Sequence, residues 1–284
     1  MVSPEGPKFP VRILGGINMK FCKRAVCAVL LLALAASLGF AGGSGESTES
    51  SADLSALRNA GVLKVGVKAD VPKFGFMDKK TNQYEGMEIE LAKLIAKDIL
   101  GDESKIVLIP VTAKIRGPLL DTGEVDLIIA TFSITEERKF IYNFSTGYYT
   151  DFVGMMVKKA SNITGLKDCD SKIIGVAQSA TSRKAIREAA DKLGINIAFM
   201  EFATYPEIKA ALDSGRIDVF SVDKTILKGY IGIDDIILPD AFSPQVYGVA
   251  SKLSNKALAK HVDNLIQEWL KDGTLETLVK KFGL

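Results

Sequence analysis

The segment LDTGEVDLIIAT, residues 120–131, recurs without a gap as LDSGRIDVFSVD, residues 212–223. Each copy begins as the end of a helix, stops at an Asp-Thr-Gly or Asp-Ser-Gly sequence, and continues through a Val-Asp or Ile-Asp pair into a buried strand. Any protein that alternates helices and strands can reuse such a junction. The gapless Leu-Asp-x-Gly-x-x-Asp spacing favours two lobes of similar topology.

The sequence around the two copies alternates short apolar runs with amphipathic helical patterns. Residues 63–69, 105–111 and 125–131 have the composition of strands, and residues 87–100 carry apolar side chains at helical spacing. Strands that alternate with helices are typical of parallel sheets covered by helices. We therefore predict an α/β fold with parallel or mixed sheets.

Polar side chains stand where the predicted strands end. They are Lys68 and Asp70, Thr131 and Ser133, residues 178–182, and Ser221 with Asp223. In an open parallel sheet, ligands bind beyond the carboxyl ends of the strands. Two lobes that face each other through such ends would form a polar cleft.

A short helix is predicted to begin after Thr135, and it contains an unexpected cation. Thr135 is a good N-cap, and Glu136 and Glu137 suit the positive end of a helix dipole, but Arg138 does not. Either Arg138 pairs with a neighbouring acid on the surface, or an anionic ligand binds at this helix start.

Composition excludes several classes of function. The formal net charge of the 284 residues is +2, and five of the 36 basic residues lie within residues 1–41 with a single acid, Glu5. The remainder is almost neutral, so we predict no nucleic-acid partner. The chain has one histidine, His261, and only Cys169 remains after the N-terminal region. One histidine and one cysteine are too few for a typical zinc site, and they leave little basis for a Ser-His-Asp triad. We therefore predict no metal and no cofactor.

The N-terminus resembles an export signal. Residues 19–24, which include Lys20, Lys23 and Arg24, precede an apolar run, residues 25–41, that ends in small residues. We predict a cleaved signal peptide over residues 1–41, in which Met19 could be the true start, followed by a flexible linker over residues 42–52. The alternative is an uncleaved membrane anchor, although the run is short for one. A periplasmic location is expected, with an extracellular or anchored protein as the alternatives.

Three segments resemble the polar amino-acid substrate-binding proteins of bacterial ABC transporters, the family 3 solute-binding proteins: ATFSITEERKFIYNFSTGYY (130–149), GVAQSATSRKAI (175–186) and FSVDKTI (220–226). The resemblance runs from about residue 63 to residue 284. It implies a two-lobed clamp of the type II periplasmic-binding-protein kind with a two-strand hinge. Lobe one would comprise residues 53–147 and 249–284, lobe two residues 153–243, and the hinges residues 148–152 and 244–248.

The resemblance also implies a ligand site. Arg138 matches the arginine that binds the ligand α-carboxylate, Thr131 and Ser133 its neighbours, and Asp223 the acid that pairs with the α-ammonium. Three further positions lie on the lobe-two loop that closes over the carboxylate end: Gln178, Thr181 and Ser182. Ala113 stands where many relatives have a second aromatic clamp, which argues against a large planar ligand.

Three segments resemble more narrowly the aspartate/glutamate-binding branch of the family: residues 111–126, 201–224 and 280–284. In that branch Lys68, Arg116 and Tyr205 would contact the ligand side-chain carboxylate. Arg138, Arg116 and Lys68 against Asp223 match two carboxylates and one ammonium, unless Asp70 neutralises Lys68 or Arg116.

The expected function is therefore the aspartate- or glutamate-binding component of an ABC importer. Such a protein is a monomer that delivers its ligand to membrane permease subunits and catalyses no reaction. Glutamine or another polar amino acid is the alternative ligand. An exported enzyme similar to cyclohexadienyl dehydratase, a sensor module and an adhesin are the alternative functions.

Overall fold

The computed structural model describes residues 52–284, which belong to one compact unit. The predicted signal peptide and residues 42–51 of the predicted linker lie outside the described residues. Within residues 52–284, no helix combines the length and the apolar character needed to cross a membrane.

The described residues contain both strands and helices. The strands are β1 (Leu63–Val67), β2 (Asp70–Val71), β3 (Gly75–Met77), β4 (Tyr84–Glu85), β5 (Ile106–Pro110), β6 (Leu127–Ile129), β7 (Tyr142–Phe144), β8 (Tyr149–Lys158), β9 (Lys172–Ala177), β10 (Ile197–Phe202), β11 (Val219–Asp223), β12 (Asp235–Ile237), β13 (Phe242–Tyr247) and β14 (Ala250–Lys252). The helices are α1 (Ala52–Ala60), α2 (Met87–Leu100), α3 (Arg116–Thr122), α4 (Glu136–Lys139), α5 (Ser182–Leu193), α6 (Tyr205–Asp213), α7 (Lys224–Lys228), α8 (Lys256–Lys271) and α9 (Thr274–Lys281).

Two mixed sheets form the centres of two lobes. The sheet of lobe one has five strands in the order β5-β1-β6-β14-β7, with β1 parallel to both β5 and β6. The sheet of lobe two has the order β10-β9-β11-β8-β12, with β13 also paired to β8. Strand β9 is parallel to β10 and β11, whereas β8 is antiparallel to its partners. The predicted α/β class with mixed sheets is confirmed.

The repeated segment occupies equivalent places in the two lobes. Asp126 accepts a hydrogen bond from the backbone N–H of Lys64 in β1 at 2.8 Å. Asp218, its counterpart, accepts one from the backbone N–H of Ile173 in β9, also at 2.8 Å. Each aspartate thus joins a helix–strand junction to the neighbouring parallel strand, which explains why the spacing between glycine and aspartate is the same in both copies.

The chain ends return to lobe one. Asp53 at the start of α1 accepts hydrogen bonds from the N–H groups of Ala257 and Leu258 at the start of α8, at 3.1 and 3.2 Å. Lys281 in α9 forms an ion pair with Glu90 in α2 at 3.0 Å. The C-terminal helices therefore pack with elements from the other end of the described chain.

The chain passes between the sheets twice. It leaves β7 of lobe one for β8 of lobe two, and it returns from β13 to β14. Strands β8 and β13 pair antiparallel, with Tyr149 opposite Tyr247 and Asp151 opposite Gln245. We propose that the predicted hinges, residues 148–152 and 244–248, bend at this pair of crossing strands.

Candidate ligand-binding site

The Arg138 guanidinium lies between the lobes. The Thr135 side chain caps α4 by accepting the Arg138 N–H at 3.2 Å, as the sequence predicts. Arg138 Nη1 donates to the Ser133 carbonyl at 2.7 Å, and Nη2 donates to the Ser179 carbonyl of lobe two at 3.1 Å. Burial lowers the pKa of Arg138 to about 9, and the nearby charge of Arg116 acts in the same direction. The group is therefore a partly desolvated cation at the junction of the lobes.

Arg116 is held by the turn that follows β6. Its Nη1 donates to the carbonyls of Ala130 and Thr131, at 2.7 and 3.2 Å. The Phe132 ring centroid lies 4.0 Å from the Arg116 guanidinium carbon and 4.6 Å from that of Arg138. One aromatic ring thus contacts both cations, an arrangement that favours guanidinium groups. Residues 130–133 form what we call the arginine turn, because their carbonyls and ring position Arg116 and Arg138.

Glu88, which the sequence patterns did not indicate, forms a hydrogen bond with the backbone of the arginine turn. Its Oε1 accepts the Thr131 N–H and the Tyr148 hydroxyl, both at 2.6 Å. Glu88 is fully buried, and this burial raises its pKa to about 7. Three buried polar atoms near the turn have no hydrogen-bond partner in the described part of the chain: Glu88 Oε2, Arg116 Nε and Thr131 Oγ1.

Asp223 ends β11 and is buried, with a relative exposure of 5%. The sequence left open whether it caps the next helix, and its side chain makes no capping hydrogen bond to α7. Asp151 has that role instead, accepting the Thr225 N–H at 2.8 Å. Asp223 accepts the Tyr247 hydroxyl at 2.5 Å. Burial raises the pKa of Asp223 to about 7, although the hydrogen bond and the charges of Arg116 and Arg138 oppose that rise.

Lys68 and Asp70 form a buried ion pair at the end of β1. Lys68 Nζ lies 2.9 Å from Asp70 Oδ1, and the lysine is 2% exposed. The same Nζ lies 4.6 Å from the centroid of the Tyr205 ring. Burial lowers the pKa of Lys68, while the charge and hydrogen bond of Asp70 act against that change. The pairing with Asp70, which the sequence left open, neutralises one of the three cations in the charge count.

The lobe-two loop, residues 178–182, contacts Arg138 through a backbone group and not through the predicted side chains. The Gln178 N–H donates to the Phe202 carbonyl at 2.9 Å, and Ser182 is buried at the start of α5. The Thr181 hydroxyl donates to Gln245 Oε1 at 2.6 Å, so it is occupied by a residue of β13. Among the three predicted residues, none makes a side-chain hydrogen bond to the arginine turn; the loop reaches Arg138 through the Ser179 carbonyl.

Several contacts join the lobes across the site. The Tyr205 N–H of lobe two donates to Asp70 Oδ2 of lobe one at 3.4 Å, and Lys184 pairs with Glu137 at 2.7 Å. A groove of about 520 Å³ lies at the Lys184–Glu137 contact, with Arg138 and Thr181 also in its wall. A second groove, of about 780 Å³, lies on lobe two beside α5, and none of the ten predicted site residues lines it.

Comparison with known proteins identifies the family. The model for bacterial extracellular solute-binding proteins, family 3, matches residues 63–284. The chain belongs to this family. The chain is 35% identical to the ABC transporter glutamine-binding protein GlnH of Bacillus subtilis (strain 168), over 93% of this chain and 97% of that protein. It is 38% identical to a glutamine-binding protein of Geobacillus stearothermophilus, over 77% of this chain and 84% of that protein.

A solved structure shares the fold of this family 3 protein. An ancestral arginine-binding protein bound to arginine superposes with a TM-score of 0.71 at 32% identity, covering 78% of this chain and 98% of the other. The predicted family is therefore confirmed, and the two-lobed architecture is that of a solute-binding protein.

Some residues of the site carried no recognised signal in the sequence. Glu88 lies at helical spacing with Leu91, Ala92 and Ile95, all of which are buried. A carboxylate on the apolar face of a helix is a signal that could have identified it. Tyr247 and Gln245 lie in β13, far along the chain from the groups they contact, and nothing in the local sequence indicates those contacts.

Proposed function

We propose that this chain is the amino-acid-binding component of an ABC importer. The observation that carries the proposal is the pair of Arg138 and Asp223, which come from different lobes. Within the described residues, the Arg138 guanidinium donates only to carbonyls, and the Asp223 carboxyl accepts only from the Tyr247 hydroxyl. A half-buried cation and a buried acid, neither with a direct counterion, match the carboxylate and the ammonium of an α-amino acid.

Arg138 has the donors that a carboxylate requires. Guanidinium presents five N–H groups in a planar fork. Two hydrogen bonds to the Ser133 and Ser179 carbonyls leave about three donors for a bidentate contact with the ligand. A ligand held by Arg138 of lobe one and Asp223 of lobe two would bridge the lobes. Such a bridge favours the closed arrangement by a population shift.

For the ligand side chain, we propose glutamine as the preferred substrate. The Lys68–Asp70 pair presents a donor beside an acceptor, and its net charge is zero. A carboxamide has one acceptor oxygen and two N–H donors, so it complements both members of the pair. A second ligand carboxylate would lie next to Asp70 and be repelled. Two relatives of this chain are glutamine-binding proteins, which supports the same choice.

An acidic amino acid is the second candidate, and one observation favours it. Arg116 is 4% exposed and has a buried Nε without a partner among the described residues, so the site holds a further cation. If Arg116 contacts the ligand side chain, Arg116→Ala should weaken the binding of aspartate and glutamate much more than the binding of glutamine. If it only supports the arginine turn, all ligands should lose affinity alike.

Calorimetric titration of the purified protein with the twenty common amino acids tests both candidates. We expect one-to-one binding, with glutamine the tightest ligand. Tighter binding of glutamate than of glutamine would contradict the carboxamide proposal and favour the acidic ligand. Absence of binding by every amino acid would contradict the proposed function itself.

Asp70→Asn is expected to reverse the preference between glutamine and glutamate. The variant leaves Lys68 as an uncompensated buried cation, which suits a ligand carboxylate and no longer suits a neutral amide. The ratio of the two dissociation constants should shift toward glutamate by roughly 100-fold, which corresponds to about 3 kcal/mol. Calorimetry on both proteins measures the ratio. Asp78→Asn, in an exposed turn of the same lobe, is the control and should leave it unchanged.

We propose that the protein acts after export, in the periplasm, and as a monomer that docks on permease subunits. No bond is made or broken in this function. Incubation with prephenate or arogenate tests the enzymatic alternative. Unchanged substrate together with stoichiometric amino-acid binding is the expected result, whereas turnover would favour a dehydratase.

A further inference from the structure

Glu88 occupies a position where a carboxylate is costly. It lies in the first turn of α2 on the face that packs into the core, and it is fully buried. Lys68 and Arg116 are the charged groups whose fields reach it, but neither forms a direct ion pair with it. A buried carboxyl without an adjacent counterion does not stabilise a fold unless its hydrogen bonds fix something else. Its two partners show what it fixes.

The first partner is the arginine turn. Thr131 has a φ of 46°, in the left-handed region that a β-branched residue rarely adopts. The hydrogen bond from its N–H to Glu88 Oε1 holds that conformation. The same turn directs the carbonyls of residues 130 and 131 toward Arg116 and the Ser133 carbonyl toward Arg138. A change at Glu88 would therefore alter the orientation of both guanidinium groups.

The second partner is the first crossing between the lobes. Tyr148 directly precedes β8, and its hydroxyl donates to the same Glu88 oxygen. The Tyr148 N–H donates to the Tyr247 carbonyl on the second crossing strand at 2.9 Å, and the Tyr247 hydroxyl donates to Asp223. A series of hydrogen bonds and chain segments thus runs from the arginine turn through Glu88 to both crossing strands. It ends at Asp223, the acid proposed to bind the ligand ammonium.

We propose that Glu88 is a positioning residue that couples the interlobe crossing to the arginine turn, so that lobe closure and capture of the ligand carboxylate depend on one shared acceptor oxygen. This inference rests on the proposed function, in which Arg138 binds the carboxylate. It assigns Glu88 no contact with the ligand: its effect is exerted through Thr131 and Tyr148.

Glu88→Gln tests the inference. The amide keeps the shape of the side chain, but its oxygen is a weaker acceptor for two simultaneous donors. We expect affinity to fall roughly 10- to 100-fold, by the same factor for every amino acid that binds, because Glu88 positions the arginine turn and the turn positions the group proposed to bind the α-carboxylate. Thermal stability should be unchanged or higher, because a buried carboxyl has been replaced by a neutral group. A purely structural role would instead lower stability and leave the affinity of the folded protein unchanged.

Tyr148→Phe removes only the hinge contact and provides a second variant. We expect it to weaken binding by about fivefold, and the double variant to lose less than the product of the two single losses, because both act through one oxygen. Glu90→Gln is the matched control in the same helix, where Glu90 pairs with Lys93 and Lys281. The Glu90→Gln protein should bind amino acids as tightly as the unmodified protein does.

The outcomes separate the two proposals. If the unmodified protein binds no amino acid, the proposed function fails. If the unmodified protein binds and Glu88→Gln binds as tightly, the positioning role of Glu88 is wrong. If Glu88→Gln and Tyr148→Phe both weaken binding but their effects multiply without coupling, Glu88 does not link the hinge to the turn.

Discussion

Arg138→Ala is expected to abolish amino-acid binding, with losses of roughly a thousandfold or more for every ligand. Truncating one member of a buried, hydrogen-bonded charge pair costs about 3–5 kcal/mol, because the partner charge remains desolvated. The loss should not depend on the ligand side chain, since the α-carboxylate is common to all amino acids. Isothermal titration of the variant with glutamine, glutamate and arginine measures the effect.

Two further variants define what Arg138 contributes. Arg138→Lys keeps the charge but not the planar fork, and we expect an intermediate loss. Arg183→Ala is the control: Arg183 lies in α5 and pairs with Glu201 at 3.0 Å, with 60% of its side chain exposed. Binding by that variant should be unaltered. An Arg138→Ala protein that is folded and retains full affinity would overturn the proposed function.

Asp223→Asn is expected to weaken binding by at least 100-fold and, at the same time, to stabilise the protein. The ligand ammonium would lose its counterion, whereas the hydrogen bond from Tyr247 can be kept by the amide oxygen. The folded-state pKa of Asp223 is about 7, above the ordinary value of 3.8. Between these two values the unfolded chain releases the proton and the folded protein keeps it, so the stability of the unmodified protein falls as pH rises.

The stability gain in Asp223→Asn therefore has a defined pH dependence. It should be close to zero near pH 4 and should reach its largest value, at most about 4 kcal/mol, above pH 7. Urea unfolding at pH 4, 6 and 8 measures it. Asp218→Asn serves as the comparison: it weakens the hydrogen bond to Ile173 in the same lobe, so stability should fall and affinity should stay constant. A gain for Asp223→Asn that is larger at pH 4 than at pH 8 would contradict the argument.

Local sequence patterns predicted much of the architecture. The apolar spacing over residues 87–100 predicted α2 at the residues where it is found. The helix ends there because Gly101 adopts the left-handed conformation that terminates a helix. Thr135 caps α4 as expected. The gapless repeat indicated two lobes, and Asp126 and Asp218 make the same hydrogen bond in each. Each of these features depends on residues close together in the chain or on a single neighbouring strand.

The charge balance of the site could not be predicted in the same way. Lys68, Arg116, Arg138 and Asp223 gave an excess of cations, and the sequence left open whether Asp70 would neutralise one of them. The structure pairs Asp70 with Lys68 and adds the buried carboxyl of Glu88. That pairing weakens the charge argument for an acidic ligand, which then depends on Arg116 alone, and it is the basis of the proposed preference for glutamine.

By itself, the sequence determined the family, the α/β class, the two-lobe repeat and the positions of the ionisable residues at strand ends. Only the tertiary structure decided which of those residues are paired and which are buried. The reason is physical: propensity and hydrophobic periodicity act over a few residues, whereas desolvation and ion pairing depend on which distant segments meet. Tyr247 contacts Asp223, and Glu88 contacts Thr131 and Tyr148, only because two lobes and two crossing strands bring them together.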